Sequence, residues 1–400
     1  MAKNFVNPPC VCTCKGPECE APGSSEIEGL IGRTVPHEMC TDFAIRRWWH
    51  AFGGDKQKVR VALNCYIENV GFFKLDGLVI QENSYLKKLM PFFRFSARPM
   101  VINTIDNTVV VLVKPKGSNM MAMPKMLSGS TVVKAFVVLG EYCFAQVLLQ
   151  ERVTGQESGV TFIIDCIEFD INNLMHKFVP VVRMLATALL QFQYFYGPLI
   201  RRILIVNAGS MGPNLRISLR LGLESYIHEK VFVVDGVGWM QVLQGSISSN
   251  ALPISLGGNW KEMDSSKYEP LDAVAAETPL NFASNSPRNK AVAYNTLLLL
   301  PMCKCSIKMN PESRCMLRWI FFTSGNLKFS ITRKSLTNDN ITLVYPRLII
   351  CTPLGKQSPE EDELLVDGEF EYWLEFENVD RSFEVINVHY KCKLEPLPKV

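Results

Sequence analysis

The spacing of apolar positions changes character along the chain. Phe43, Ile45, Trp48 and Trp49, then Val59, Leu63, Tyr66, Ile67 and Val70, recur at helical spacing, with Gly53-Gly54 as the break between helices. Val101-Ile102, the turn pair Asp106-Asn107 and the β-branched run from Val109 to Val113 predict a hairpin. A long helix is predicted over about 131–151, where Val133, Phe136, Val137, Tyr142, Phe144 and Val147 supply a wide apolar surface. Three short apolar strands follow at 160–165, 203–207 and 231–234, separated by helical stretches at about 174–195 and 214–228. Strands of continuous apolar residues in βαβαβ order predict a parallel sheet with helices on its faces. Ligands of such sheets sit outside the carboxyl ends of the strands.

After a polar stretch at about 261–288 the period becomes two. Leu317, Trp319 and Phe321 alternate with Arg318, Ile320 and Phe322. Phe370, Tyr372, Leu374 and Phe376, and later Ile386, Val388, Tyr390 and Cys392, repeat the pattern. Alternation without helical spacing predicts an antiparallel β-sandwich.

Composition narrows the class. With 48% hydrophobic and 20% charged residues, most of the 400-residue chain folds around cores. A formal net charge of +3, with both signs mixed, argues against a dedicated nucleic-acid binder. The apolar run from Val179 to Ala208 is interrupted by Arg183, Gln191, Gln193, Arg201 and Arg202, so no membrane span is expected, and the first ten residues lack the apolar core of a signal peptide. The expectation is a cytoplasmic protein, peripheral on Golgi or other internal membranes. The 13 scattered cysteines fit a reducing compartment. Cys10, Cys12, Cys14 and Cys19 lack paired CxxC knuckles and read as a thiol-bearing tail ahead of a metal site.

Catalytic motifs are missing from the sequence: no GxGxxG opening a helix after a first strand, no GK[ST] phosphate loop, no GxSxG elbow, no HExxH among the five histidines. Asp165, at the end of a strand, reads as a residue that hydrogen-bonds the following turn, and Gly257-Gly258 as a chain turn. The expectation is a non-enzymatic protein with no cofactor, no catalytic residue and no metal.

The stretch from Gly159 to Trp260 resembles the CRAL-TRIO lipid-binding domain. The resemblance rests on GVTFIIDC, QFQYFYGPLIRRILIVNAG, the Leu215–Tyr226 segment, HEKVFVVDG and LPISLGGNW, in that order. The region at about 300–395 resembles a GOLD domain through CMLRWIFF and GEFEYWLEFENVDRSFEVINVHYKCKL. The two in this order are similar to the supernatant protein factor group of phosphatidylinositol-transfer-like proteins. The resemblance implies one phospholipid or other hydrophobic ligand in an apolar pocket, with Phe162, Ile164, Leu189, Phe192, Phe195 and Ile205 as lining. It also implies an amphipathic gate helix carrying Leu215, Arg216, Leu219, Arg220 and Tyr226. Members that hold phosphatidylinositol use a glutamate and a lysine. The lysine matches Lys230, and the glutamate position falls on Pro198, so inositol specificity is in doubt. The usual Lys-Pro pair of the gate is here Arg220-Leu221.

The expected organisation is a disordered leader (1–30), a helical subdomain (31–84), an α/β CRAL-TRIO domain (85–262), a linker (263–298) and a GOLD β-sandwich (299–396). Expected partners are the lipid, a transient membrane surface and a protein bound through the sandwich, for which the acidic run Glu360-Glu361-Asp362-Glu363 is a candidate docking loop. The alternative is an interaction scaffold or small-GTPase and membrane-trafficking regulator with a degenerate pocket.

Overall fold

In a computed structural model, the structure describes residues 24–33, 42–73, 83–95, 101–114, 119–167, 175–209, 212, 223–234, 238–261, 294–352, 358–379 and 384–397. Four helices come first: α1 (Ser24–Ile31), α2 (Asp42–Ala51), α3 (Lys56–Val70) and α4 (Ser84–Leu89). The first helix lies in the stretch expected as a leader, and it forms because Ile27 and Ile31 bury one side of it. Asp55 caps α3 by accepting from the Gln57 and Lys58 N–H groups, and Gly53 and Gly54 turn the chain at φ 60° and 75°.

The hairpin β1 (Val101–Asn103) and β2 (Thr108–Val113) opens the central sheet. After the short α5 (Met123–Met126), α6 (Gly129–Thr154) leads to β3 (Gly159–Asp165), and α7 (Met175–Tyr196) leads to β4 (Ile200–Val206). Then come α8 (Ser225–His228), β5 (Val231–Val234) and α9 (Trp239–Ser246). The sheet order is β1-β2-β3-β4-β5, parallel except for β1. Its register sorts the apolar side chains onto two faces. Val110, Leu112, Ile163, Leu204 and Val234 pack under Leu243, Leu252 and Trp260 on one face. Val111, Phe162, Ile203 and Val231 face the other way, beneath α6 and α7.

Among the described residues α6, and not the 179–208 run, is the helix long and apolar enough to cross a membrane, yet most of it is buried within the protein. It is apolar all round because it is sandwiched between layers.

Among the described residues, eight strands build the C-terminal unit: β6 (Asn295–Leu299), β7 (Lys304–Met309), β8 (Cys315–Thr323), β9 (Leu327–Ser335), β10 (Ile341–Ile350), β11 (Glu360–Val366), β12 (Phe370–Asn378) and β13 (Ile386–Pro396). They form two antiparallel sheets, β10-β9-β12-β7 and β11-β8-β13-β6. The expected alternation is what buries Leu317, Trp319 and Phe321 against Phe329, Tyr345 and Phe376, with Phe321 and Phe329 ring centroids 4.9 Å apart. The first strand begins inside the stretch expected as linker.

The sandwich sits against the helices through its β10 and β11 edges. The Arg347 N–H donates to Asn69 Oδ1 of α3 at 2.6 Å, and the Ile349 N–H donates to Gln191 Oε1 of α7 at 2.9 Å. Glu360 accepts the Ser130 N–H in the first turn of α6 at 3.0 Å, a contact that needs Gly129, where a Cβ would lie 2.8 Å from that carboxylate. Lys134 Nζ pairs with Asp362 at 2.8 Å and stacks over the Tyr345 ring. The acidic run expected as an exposed docking loop is therefore strand β11, with Glu360 buried and Asp362 paired. Its alternation points these two acids inward, where a helix N-terminus and a lysine are waiting for them.

Burial pushes the Glu360 carboxyl up from 4.5 to about 7, outweighing the Ser130 bonds and Lys134, which pull the other way. A folded pKa above the unfolded one stabilises below pH 4.5, and that stability is lost as pH rises through about 7. Chemical denaturation should show wild-type stability falling between pH 5 and 8 by up to about 3 kcal/mol, a slope that Glu360→Gln removes. An equal slope in the variant would reassign the effect.

The first helices are locked to the sheet by a buried ion pair. Arg47 of α2 bonds Glu151 of α6, which also accepts the Ser158 N–H at 2.8 Å. Burial lowers the Arg47 guanidinium to about 10. Arg47→Met strands a buried carboxylate and should cost about 3–5 kcal/mol, while Arg47→Met with Glu151→Leu should recover most of it in urea titrations.

Candidate functional site: the apolar face of the central sheet

Beneath α6 and α7 most described side chains are fully buried, and several are half buried. Helix α7 runs back from the carboxyl end of β3 and lays Phe192 on Phe162, with centroids 5.8 Å apart. Leu185 and Leu189 share that helix face at i–7 and i–3 and are only half buried. Phe162, Ile164 and Val233 on the sheet, and Phe136 on α6, are half buried as well. These six side chains are half-buried members of this face, packed against its apolar core.

Of the expected lining, Phe162, Ile164 and Leu189 are among these half-buried side chains. Phe192, Phe195 and Ile205 are fully buried core, Phe195 packing on Tyr66 and Tyr196. Val233, Leu185 and Phe136 were not among the lining residues expected from the sequence. Strand register and helix phase relative to the sheet select them, and neither is visible in a one-dimensional pattern. A cavity of about 220 Å³ lies elsewhere, among Glu26, Ile27, Leu30, Trp49 and Lys56.

The carboxyl ends of the strands are tied together. Asp165 Oδ1 accepts from the Ile167 N–H at 3.2 Å, the turn role read from the sequence, and from Asn207 Nδ2 at 2.7 Å. Asn207 sits at φ 57°, a left-handed conformation that asparagine tolerates better than most residues. Cys166 beside it is pushed up to about 11 by burial, the state of an inert thiol.

The residues proposed for headgroup contact lie at the other end of the sheet. Lys230 precedes β5, its carbonyl accepts the Ile203 N–H at 2.8 Å, and its ammonium lies 5.4 Å from the Tyr226 ring centre. Tyr226 belongs to α8, donates to the Gln193 carbonyl at 3.4 Å and packs edge-on against Phe52. Burial drives its phenol pKa upward. Pro198 is buried in a single 3-10 turn before β4. Leu215, Arg216, Leu219 and Arg220 of the expected gate, and Cys10, Cys12, Cys14 and Cys19, lie outside the described residues.

Residues 104–258 match the CRAL/TRIO domain family. This segment is a CRAL/TRIO domain. The match spans β2 to β5, helices α6 and α7 and the turn at Gly257, so all six half-buried side chains lie within it. The crystal structure of Sfh5 is similar at 12% identity, covering 60% of this chain and 77% of that one, with a TM-score of 0.39. A sugar-binding protein, the EclA C-terminal domain, is similar at 7% identity over 34% of this chain and all of that one, with a TM-score of 0.17. Likenesses this distant carry no argument of their own.

Asn207→Gly keeps the backbone conformation and loses the bond to Asp165, whereas Asn207→Ala loses the bond and also strains the backbone. The alanine variant should unfold at lower urea, by about 1 kcal/mol relative to the glycine variant.

Proposed function

We propose that the CRAL/TRIO domain holds one phospholipid or other hydrophobic molecule in the groove between α7 and the sheet, for lipid transfer, sensing or presentation without catalysis. The observation that carries this reading is the set of half-buried apolar side chains gathered at the carboxyl end of the sheet, where ligands of such folds bind. Each buried methylene of an acyl chain contributes about 0.8 kcal/mol, so an apolar groove competes with a bilayer for its lipid. In this reading residues 85–262 are the lipid-binding unit, and the sandwich (299–396), read as a GOLD domain, is an adaptor. Lys230 would attract a phosphate only as a point charge, since Pro198 supplies no partner.

A second reading has one observation in its favour. Phe192, Phe195 and Ile205 are packed as core, as a degenerate pocket in a scaffold protein would have them.

Native mass spectrometry of protein purified from eukaryotic cells separates the two. A lipid adduct is expected for wild type and a reduced one for Ile164→Trp, which fills the groove. A clean apo mass with no exchange in a liposome assay favours the scaffold. Lys230→Ala should slow transfer of phosphate-bearing lipids; transfer at the wild-type rate would show Lys230 to be a bystander.

A further inference from the structure

Strand register assigns the outer face of the β11-β8-β13-β6 sheet residue by residue. In β8 the buried positions Leu317, Trp319 and Phe321 alternate with Met316, Arg318, Ile320 and Phe322, which are half buried on the outer side. Paired residues of neighbouring antiparallel strands point to the same side of a sheet. Ile320 is flanked by Glu361 of β11 and Lys391 of β13, and Arg318 by Glu363 and Lys393. Each row therefore runs from an acid, through the β8 residue, to a base. The α/β unit is met through β10 and through Glu360 and Asp362, on the opposite side of β11.

The two rows differ in how far their charges are answered. Arg318 pairs with Glu363 and with Glu395 of β13, each at 2.8 Å, and Lys393 also pairs with Glu395. In the Ile320 row, Glu361 and Lys391 form no ion pair among the described residues. They stand two strand spacings apart, about 10 Å, with an aliphatic side chain between them. One step further along the strands Tyr294 packs edge-on against Phe322, with ring centroids 5.8 Å apart. An apolar stripe on β8 is thus bordered by acid on one side and base on the other.

We propose that this outer face is the contact surface for a second copy of the chain, in a two-fold dimer whose axis runs along β8. Rotation about that axis lays one sheet over the other at the same height, with β11 and β13 exchanged. Glu361 of each copy then faces the partner's Lys391, and Ile320 and Phe322 meet their own counterparts. A row that reads acid, apolar, base is its own complement under this rotation, which a face for an unrelated protein need not be. Arg318 also lies on the axis, and its two carboxylates neutralise it in each copy. Facing sheets pack about 10 Å apart, close enough for glutamate and lysine side chains to meet across the gap. Four strands of about nine residues cover about 600 Å² per copy. That is less than the roughly 800 Å² per partner of a standard interface, so the dimer is reversible and forms with concentration.

The test is sedimentation velocity of the full chain up to ~100 µM, beside Glu361→Lys, Lys391→Glu and their equimolar mixture. Wild type should shift from monomer to dimer as concentration rises. Each reversed variant should weaken self-association at least about tenfold, because the two-fold places every substitution in two like-charge contacts. The mixture should dimerise again, since the two lysines of one chain then face the two glutamates of the other. Thermal melting of both variants should match wild type, because exposed or half-exposed charges on an outer face carry little stability. A wild type that stays monomeric would overturn the proposal, as would reversed variants that dimerise like wild type. A mixture that stays monomeric would overturn it too, by showing that Glu361 and Lys391 do not meet across the axis. None of these readouts depends on a bound lipid, which native mass spectra report separately.

Discussion

The edge of a β-sheet carries a row of backbone N–H and C=O groups that cannot be buried without partners. In this protein one such edge, strand β10, is buried against helices, and the side-chain oxygens of Asn69 and Gln191 take the place of a neighbouring strand. The N-terminus of α6 has the same need, which Glu360 meets from the adjoining sheet. These few polar bonds decide how the sandwich sits on the α/β unit. Apolar contact alone is non-directional and would accept several placements; unsatisfied backbone groups accept very few.

The consequence reaches the groove. Helices α6 and α7 form its roof, and both are held from above by the sandwich: α6 through Glu360 and the Lys134–Asp362 pair, α7 through Gln191 and Thr187. From below they rest on Phe162 and the sheet. At the amino ends of the strands the space is closed by Tyr196, Phe195 and the α2 helix, which the Arg47–Glu151 pair keeps in place. At the carboxyl ends, the turns after β3 and β4 are steadied by Asp165 and Asn207.

Much of this was legible in the sequence because local rules wrote it there. Continuous apolar strands and helical crossovers marked the parallel sheet, and period-two alternation marked the sandwich. Asp106-Asn107 marked the hairpin turn, where Asn107 is indeed left-handed. Asp165 was read correctly as a turn residue. The acidic run at 360–363 was misread as a loop because charge was weighed above alternation; in β11 every second residue faces inward whatever its charge. The residues expected to line the pocket fall into two sets, half buried and fully buried, for a related reason. Periodicity separates inside from outside but does not tell a fully packed position such as Phe192 from one at a groove edge such as Leu189.

The sequence by itself determined the elements, their order and the faces they bury, since these follow from the periods of helix and strand and from local turn chemistry. Only the tertiary structure decided which buried polar groups answer one another across 100 to 280 residues of chain, as Arg47 does with Glu151 and Asn69 with Arg347. It alone decided that Lys230 pairs its backbone with Ile203 at the amino end of the sheet. Such pairings depend on the relative placement of whole layers, which arises from summed packing and backbone satisfaction rather than from any local stretch of residues.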